Sequence, residues 1–204
     1  MSEELLAGEW NSRRYMPHFD GENLIQHITF HLADSMSAKA LQAVDQIIAT
    51  VPEDQRARER RTRIEALVDS GFGSCILREP DVARMVQDSL LHFDGARYRV
   101  MEWVIMPNHV HLLVQPMRPW KVGSIVASWK KWTARKICDH LGANRIDNGP
   151  IWHREYWDRY IRDEKHLASA VEYIHYNPVK ARLAGKPELW PWGSAALRSR
   201  GESN

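Results

Sequence analysis

Two places in the 204-residue chain hold side chains whose types and spacing suit chemistry. The first is His109-Val110-His111. In a strand, residues i and i+2 point to the same face, so both imidazoles emerge side by side while Val110 and Leu112 enter the core. Two imidazoles about 7 Å apart along a strand can chelate one divalent ion, given a third ligand from elsewhere. Two unrelated surface histidines are the plain alternative, because ten histidines in the chain make chance pairs of this spacing common. The second place is Tyr173 and Asn177, at i and i+4 on one face of a helix. The apolar stripe of that helix is Leu167, Ala170, Val171 and Ile174. At 100° per residue, Tyr173 falls about 100° from Ile174 and Asn177 about 60°, both on one flank, whereas Tyr176 lies about 160° away, toward solvent. Asn177 can offer a carbonyl oxygen to an ion one turn from Tyr173, or it can simply end a helix before Pro178.

These side chains need elements to hold them. Residues 24–32 (LIQHITFHL) alternate, with Ile28, Phe30 and Leu32 on one face and His27, Thr29 and His31 on the other, which is a half-buried strand. Ser35 or Ser37 caps a helix running to Ala49. Residues 51–63 are charged and poor in apolar side chains, an exposed helix or insertion arm. Residues 71–74 read as a turn, and Pro80 opens a helix over 81–93. Residues 97–106 and 110–114, joined by Pro107-Asn108, read as a β-hairpin. A two-residue turn there pairs Met106 with His109, Val104 with His111 and Glu102 with Leu113. Glu102 then joins the histidine face, within reach of the site or one layer off, although a rim carboxylate is the plainer reading. Residues 124–141 form a helix whose stripe of Val122, Ile125, Val126, Trp129 and Trp132 faces the core, with Lys131, Arg135, Ser124 and Ser128 opposite. Residues 151–162 are aromatic and irregular, and no state is assigned to them. A last helix over 164–177 stops before Pro178, and the chain after Trp192 turns small and polar, a frayed tail.

Together these give an α+β layer: an at least partly antiparallel sheet, helices on one face and the other face free for chemistry. The length suits one domain, or one domain with an elaborated insertion. A hydrophobic fraction of 44% excludes a disordered chain. Cys75 and Cys138, without CxxC partners, read as buried thiols of a reducing compartment. No basic n-region precedes an apolar run, and no apolar stretch reaches 18 residues, so the expectation is a cytoplasmic protein without membrane contact. The net charge of +2 is nearly neutral, but residues 117–140 hold six Lys or Arg against the single acid Asp139. Such a local stripe matters more for nucleic acid than the total, although from charge alone a solvated helix face is the plainer reading.

The strand IMPNHVHLLV followed by VEYIHYNPVKARL resembles the single-tyrosine transposases of the HUH class, and within it the REP-associated tyrosine transposases. The resemblance extends from HITFHL through the hairpin, the SWKKWTARK helix and WHREYWDRYIRDEKHL to LWPWGSA. It implies a ferredoxin-like antiparallel sheet with helices on one side. It also implies His109 and His111 as metal ligands, Asn177 as the third ligand and Tyr173 as the nucleophile. One catalytic domain then spans 1–204, with a helical insertion over 45–93 and a polar tail over 194–204.

The activity so implied is cleavage and rejoining of single-stranded DNA, at hairpin repeats of the repetitive extragenic palindrome kind, through a 5′-phosphotyrosine. Mg²⁺ or Mn²⁺ suits the donors, since phosphate and amide oxygens are hard ligands and imidazole pulls toward Mn²⁺. The covalent link conserves the phosphodiester, so no ATP is needed, and the chain has no P-loop. Lys131 and Arg135 are the candidate phosphate contacts. Of the nine Trp, residues such as Trp152, Trp157 and Trp190 either stack on unpaired bases or pack. A non-catalytic DNA-binding regulator on the same fold, and a metal hydrolase in which Tyr173 is incidental, are the competing readings. A labelled oligonucleotide separates the three by covalent adduct, binding alone, or cleavage without adduct.

Overall fold

The computed structural model describes residues 8–12, 17–21, 24–142 and 149–201. The end of the expected polar tail, 202–204, lies outside the described residues. In chain order the elements are β1 (Gly8–Ser12), β2 (Pro17–Gly21), β3 (Gln26–His31), α1 (Ala38–Ala49), α2 (Glu53–Asp69), α3 (Pro80–Leu91), β4 (Tyr98–Ile105), β5 (His109–Pro116), α4 (Val122–Leu141), β6 (Trp157–Tyr160), α5 (Glu164–Lys180) and α6 (Ser194–Ser199). β1 and β2 form a separate antiparallel hairpin. The other four strands make an antiparallel sheet in the order β4-β5-β3-β6, so this is the expected α+β architecture.

Strand alternation sorts the side chains of the sheet. Ile28, Phe30 and Leu32 of the β3 segment meet Val110, Leu112 and Val114 of β5 on one face. There α3 packs with Val82, Ala83, Val86 and Leu90, and α4 with Val122, Ile125, Val126, Trp129 and Ile137. Two of the indole N–H groups of this aromatic-rich core find partners inside it. Trp129 donates to the Tyr98 hydroxyl at 2.8 Å, and Trp152 donates to Thr133 Oγ1 at 2.8 Å. Trp132 does not join the stripe predicted for it and is exposed, because at 100° per residue it falls at the edge of the buried arc.

The opposite face carries His27, Thr29, His31, His109, His111 and Leu113. It is not an open surface. α5 lies over the β4–β5 side, where Ala170 and Ile174 pack on Val104, Met106 and Leu113. The α1–α2 hairpin lies over the β6 side with its own cluster of Val44, Ile48, Ile64, Val68 and Trp157. Within the 45–93 segment this hairpin therefore forms a satellite, while α3 is part of the main core. Ser37 caps α1 by accepting from the Ala40 amide at 3.1 Å. Asp163 caps α5 by accepting from the His166 amide at 2.7 Å, an arrangement worth about 1 kcal/mol that fixes where the helix starts.

Two expectations about where the C-terminal helices begin and end also fail. α5 does not stop before Pro178 but runs on to Lys180. The proline removes one backbone donor in the last turn only, and the Ala181 and Leu183 amides bond the Asn177 and Pro178 carbonyls beyond it. The segment read as a frayed tail forms α6, with Ser194 and Ala196 buried. Ser194 Oγ donates to the buried Glu102 at 2.7 Å, and Glu102 also pairs with His175 at 2.8 Å and with Arg198. Glu102 is neither a rim carboxylate nor part of the histidine cluster: it ties α5 and α6 to β4.

Candidate metal and nucleophile site

The register of β3, β5 and β4 decides where the two imidazoles go. Thr29 lies directly across from His111 and His31 across from His109, while Val104 pairs with His111 on the other side. Both histidines are 1% exposed. Thr29 Oγ1 sits 2.8 Å from His111 Nδ1, and Asn108 Oδ1 sits 2.8 Å from His109 Nδ1. Each ring is thus oriented through Nδ1 with Nε2 pointing away, the arrangement typical of metal-binding imidazoles.

Asn108 does more than fill a turn. Its side-chain amide donates to the Val68 carbonyl at 2.9 Å and the Phe72 carbonyl at 3.1 Å, which fixes its oxygen toward His109. Those two carbonyls bracket Asp69, the last residue of α2. One buried asparagine therefore positions a histidine and a carboxylate together.

Asp69 Oδ1 lies 3.3 Å from His109 Nε2 and 3.8 Å from His111 Nε2. None of these three atoms has a hydrogen-bond partner among the described residues, and all are buried. Burial, and then the neighbouring His111, hold the His109 pKa well below its ordinary value, so the ring is neutral. With Nδ1–H given to Asn108, its Nε2 lone pair faces a carboxylate oxygen. Two lone pairs at that distance repel unless a cation lies between them. Donor atoms of Asp69, His109 and His111 all fall within 4.8 Å of one another, which fits a divalent ion.

Tyr173 stands at the edge of this cluster. Its hydroxyl donates to Asp69 Oδ2 at 3.2 Å, and its ring packs edge-on against His111 and His27, with centroids 5.1 and 5.8 Å away. Burial, followed by the Asp69 and Glu65 carboxylates, pushes the hydroxyl's pKa well above its ordinary value, and a hydrogen bond with the buried Asn177 pulls the other way. Lys180 Nζ lies 5.3 Å from the ring centroid. Tyr176 is exposed, as its place on the helix predicted. His27 is buried and its pKa falls to about 3, through desolvation first and His111 second.

The geometry thus gathers His109, His111, Tyr173 and Asn177, and it adds Asp69. Lys131 and Arg135 are not brought to this cluster. They are exposed on the outer side of α4, which packs on the other face of the sheet. Trp152 is buried against Phe30 at 4.9 Å, Trp157 is stacked on His31 at 4.8 Å, and Trp190 donates to the Ile105 carbonyl at 2.9 Å. All three pack.

Residues 86–177 match the family described as "Transposase IS200 like". The match starts inside α3, covers both histidines and Tyr173, and ends on Asn177. Over this segment the chain is similar to REP-associated tyrosine transposases. A Haemophilus influenzae protein provisionally named as one is 35% identical over 96 residues, 44% of this chain and 54% of that protein. The REP-associated tyrosine transposase of Escherichia coli K12 is 27% identical over 97 residues, 48% of this chain and 54% of that protein. The chain thus spans about half the length of these curated relatives. In fold it is similar to a REP-associated tyrosine transposase solved bound to a REP hairpin, with a TM-score of 0.55 at 18% identity, covering 95% of this chain and 88% of that one.

Of the residues gathered at this site, sequence reasoning missed Asp69, Asn108 and Thr29. Asp69 leaves one trace in the sequence: it is an acid in the last turn of a helix, where the helix dipole disfavours negative charge. Thr29 follows from the strand register once β3 is set beside β5. Asn108 carries no such signal, because Pro-Asn is an ordinary turn pair.

Proposed function

We propose that this protein is a divalent-metal-dependent transesterase that cleaves and rejoins single-stranded DNA beside hairpin repeats through a 5′-phosphotyrosine link. The observation that supports it best is the convergence of the Tyr173 hydroxyl and both histidine Nε2 atoms on the one carboxylate of Asp69. His109, His111 and Asn177 are the proposed ligands, with Asp69 as a further donor. An Asn177 amide N–H spent on the phenol leaves its carbonyl oxygen for the ion. Mg²⁺ or Mn²⁺ fits this mixture of oxygen and imidazole donors. Such an ion polarises a non-bridging phosphate oxygen and neutralises developing charge.

The chain's own residues handle the nucleophile. The resting site holds Tyr173 protonated and aimed, with Asp69 Oδ2 as the nearest acceptor for its proton. As the phenol oxygen bonds to phosphorus, the bond from phosphorus to the 3′ oxygen breaks and that oxygen takes up a proton. One ester replaces another, so the reverse step rejoins the strand without ATP. Burial of the histidine face keeps water from competing. The hairpin preference rests on the relatives' names and on the hairpin held by the structure of similar fold. Lys131 and Arg135 can reach only DNA that wraps past the sheet.

A labelled hairpin oligonucleotide with single-stranded flanks tests the proposal. A covalent protein–DNA adduct that needs metal and Tyr173 is the expected result. Binding without adduct points to a regulator, and cleavage without adduct to a hydrolase.

A further inference from the structure

An open groove of about 780 Å³ runs from Tyr173 and His27 outward between α2, β6 and the first turns of α5. Its walls carry Arg58 and Arg61 from α2, Arg159 from β6 and Arg162 just beyond it. Two other arginines of α2 are occupied elsewhere: Arg60 pairs with Asp45 at 3.1 Å and Arg63 with Glu59 at 2.7 Å. Against the four guanidiniums the groove sets two carboxylates, Glu65 and Asp158. Burial pushes the Glu65 carboxyl above its ordinary range, which weakens its charge. The Arg159 guanidinium is pulled down by partial burial, then by Arg162 and Arg61 ahead of the opposing pull of Glu65, with Arg58 adding a smaller push. Crowded like charges of this kind cost energy that an anion would relieve.

The site's shape selects the anion. Tyr173 opens onto the groove beside His27 and Thr29, whereas His109 and His111 are buried and do not line it, so a polyanion lying along the groove floor meets the Tyr173 hydroxyl directly. A duplex keeps its backbones on the rim of a wide cylinder, whereas a single strand can thread such a groove phosphate by phosphate.

We propose that this groove is the channel for the single strand flanking the phosphate that Tyr173 attacks, with Arg58, Arg61, Arg159 and Arg162 as its phosphate ligands. This rests on the transesterase reading and gives the α1–α2 hairpin a role in substrate binding. The contacts are to backbone, so they carry little sequence preference.

The test measures fluorescence anisotropy of a short labelled single strand over a salt series, in a Tyr173→Phe background that prevents covalent capture. The double variant Arg61→Gln, Arg159→Gln is expected to bind about tenfold more weakly. Its dependence of log K on log salt is expected to be shallower by about 1.4, at about 0.7 per phosphate contact on a single strand. The pair Arg61→Lys, Arg159→Lys keeps the charge and is expected to keep most of the slope, which separates lost charge from lost fold. Lys131→Gln with Arg135→Gln, on the far face, is expected to leave both quantities unchanged for a short strand. Equal affinity and slope in the glutamine variant, or tighter binding of a duplex of the same sequence, overturns the channel. Adduct formation by the protein with Tyr173 intact is scored separately. If the adduct forms while the glutamine variant binds and reacts normally, the channel falls and the transesterase reading stands. If no adduct forms but the slope falls as stated, the channel stands and the transesterase reading falls.

Discussion

Replacing Asn108 by alanine is expected to damage the metal site from one bond-length further out. The change removes the acceptor for His109 Nδ1 and both donors to the end of α2. The His109 N–H is fully buried, so leaving it without a partner costs about 1–3 kcal/mol. The carbonyls suffer less: Val68 still accepts from the Gly71 amide at 3.2 Å, and the bond to Phe72 is only partly buried. A total of about 2–4 kcal/mol in the metal-free protein follows. Losing the group that orients His109 and holds Asp69 is expected to weaken Mn²⁺ binding about 10–100-fold. Urea denaturation reads the first quantity and calorimetric Mn²⁺ titration the second. Asn108→Asp sharpens the test. It keeps an acceptor for His109 but turns a carboxylate toward two carbonyls, so stability falls while Mn²⁺ affinity stays within a few fold of the original. If Asn108→Ala loses stability and binds Mn²⁺ as well as the parent, the residue is only a structural peg and the positioning argument is wrong.

Tyr173→Phe is expected to abolish the covalent adduct with little change in the urea midpoint, since one oxygen at a half-buried position is lost; an adduct that survives moves the nucleophile elsewhere, and Tyr176→Phe is the control that should react normally. Asp69→Asn is expected to lower Mn²⁺ affinity at least about tenfold by calorimetry, and unchanged affinity would remove Asp69 from the ligand set. EDTA is expected to stop adduct formation, and Mn²⁺ to restore it at least as well as Mg²⁺; full activity in excess chelator refutes the metal assignment. His27 and His31 both have folded pKa values of about 3, against 6.5 when unfolded. Below pH 6.5 the unfolded chain binds the extra protons, so stability is full above that pH and falls by up to about 1.4 kcal/mol per pH unit for each histidine down to about pH 3. A urea midpoint that stays flat from neutral pH to about pH 5 would show that these rings are not held neutral.

Much of the central site could be read from residue order. The two-residue turn at Pro107-Asn108 predicted Val104 opposite His111 and Glu102 opposite Leu113, and both pairs are present. The helical wheel placed Tyr173 and Asn177 on the flank that meets the sheet and Tyr176 in solvent. What escaped were contacts made across long sequence distances by residues with unremarkable local surroundings. Asp69 ends a helix that reads as solvated because its charges are many, yet its last turn is pinned to the β4–β5 turn. Ser194 looked like tail composition until Glu102 supplied a buried partner. The sheet face opposite the core was expected to be open, because strand alternation reports which side chains are polar but not which helices return to cover them.

The strand order has a consequence for how the protein is made. β3 is synthesised first of the four sheet strands, yet it sits between β5 and β6, and its pair of Thr29 with His111 spans 82 residues. Residues 86–177 supply β4, β5 and β6 but not β3, and among the described residues β6 has no neighbour in that sheet other than β3. A fragment cut to that segment would hold both histidines, Tyr173 and Asn177 and still have a gap in the middle of its sheet. On the ribosome, closing so long a loop is entropically slow. The imidazoles gain their Thr29 and Asp69 neighbours only when the early and middle parts of the chain meet, and Tyr173 joins later still. A site assembled this way stays incomplete through most of its own synthesis.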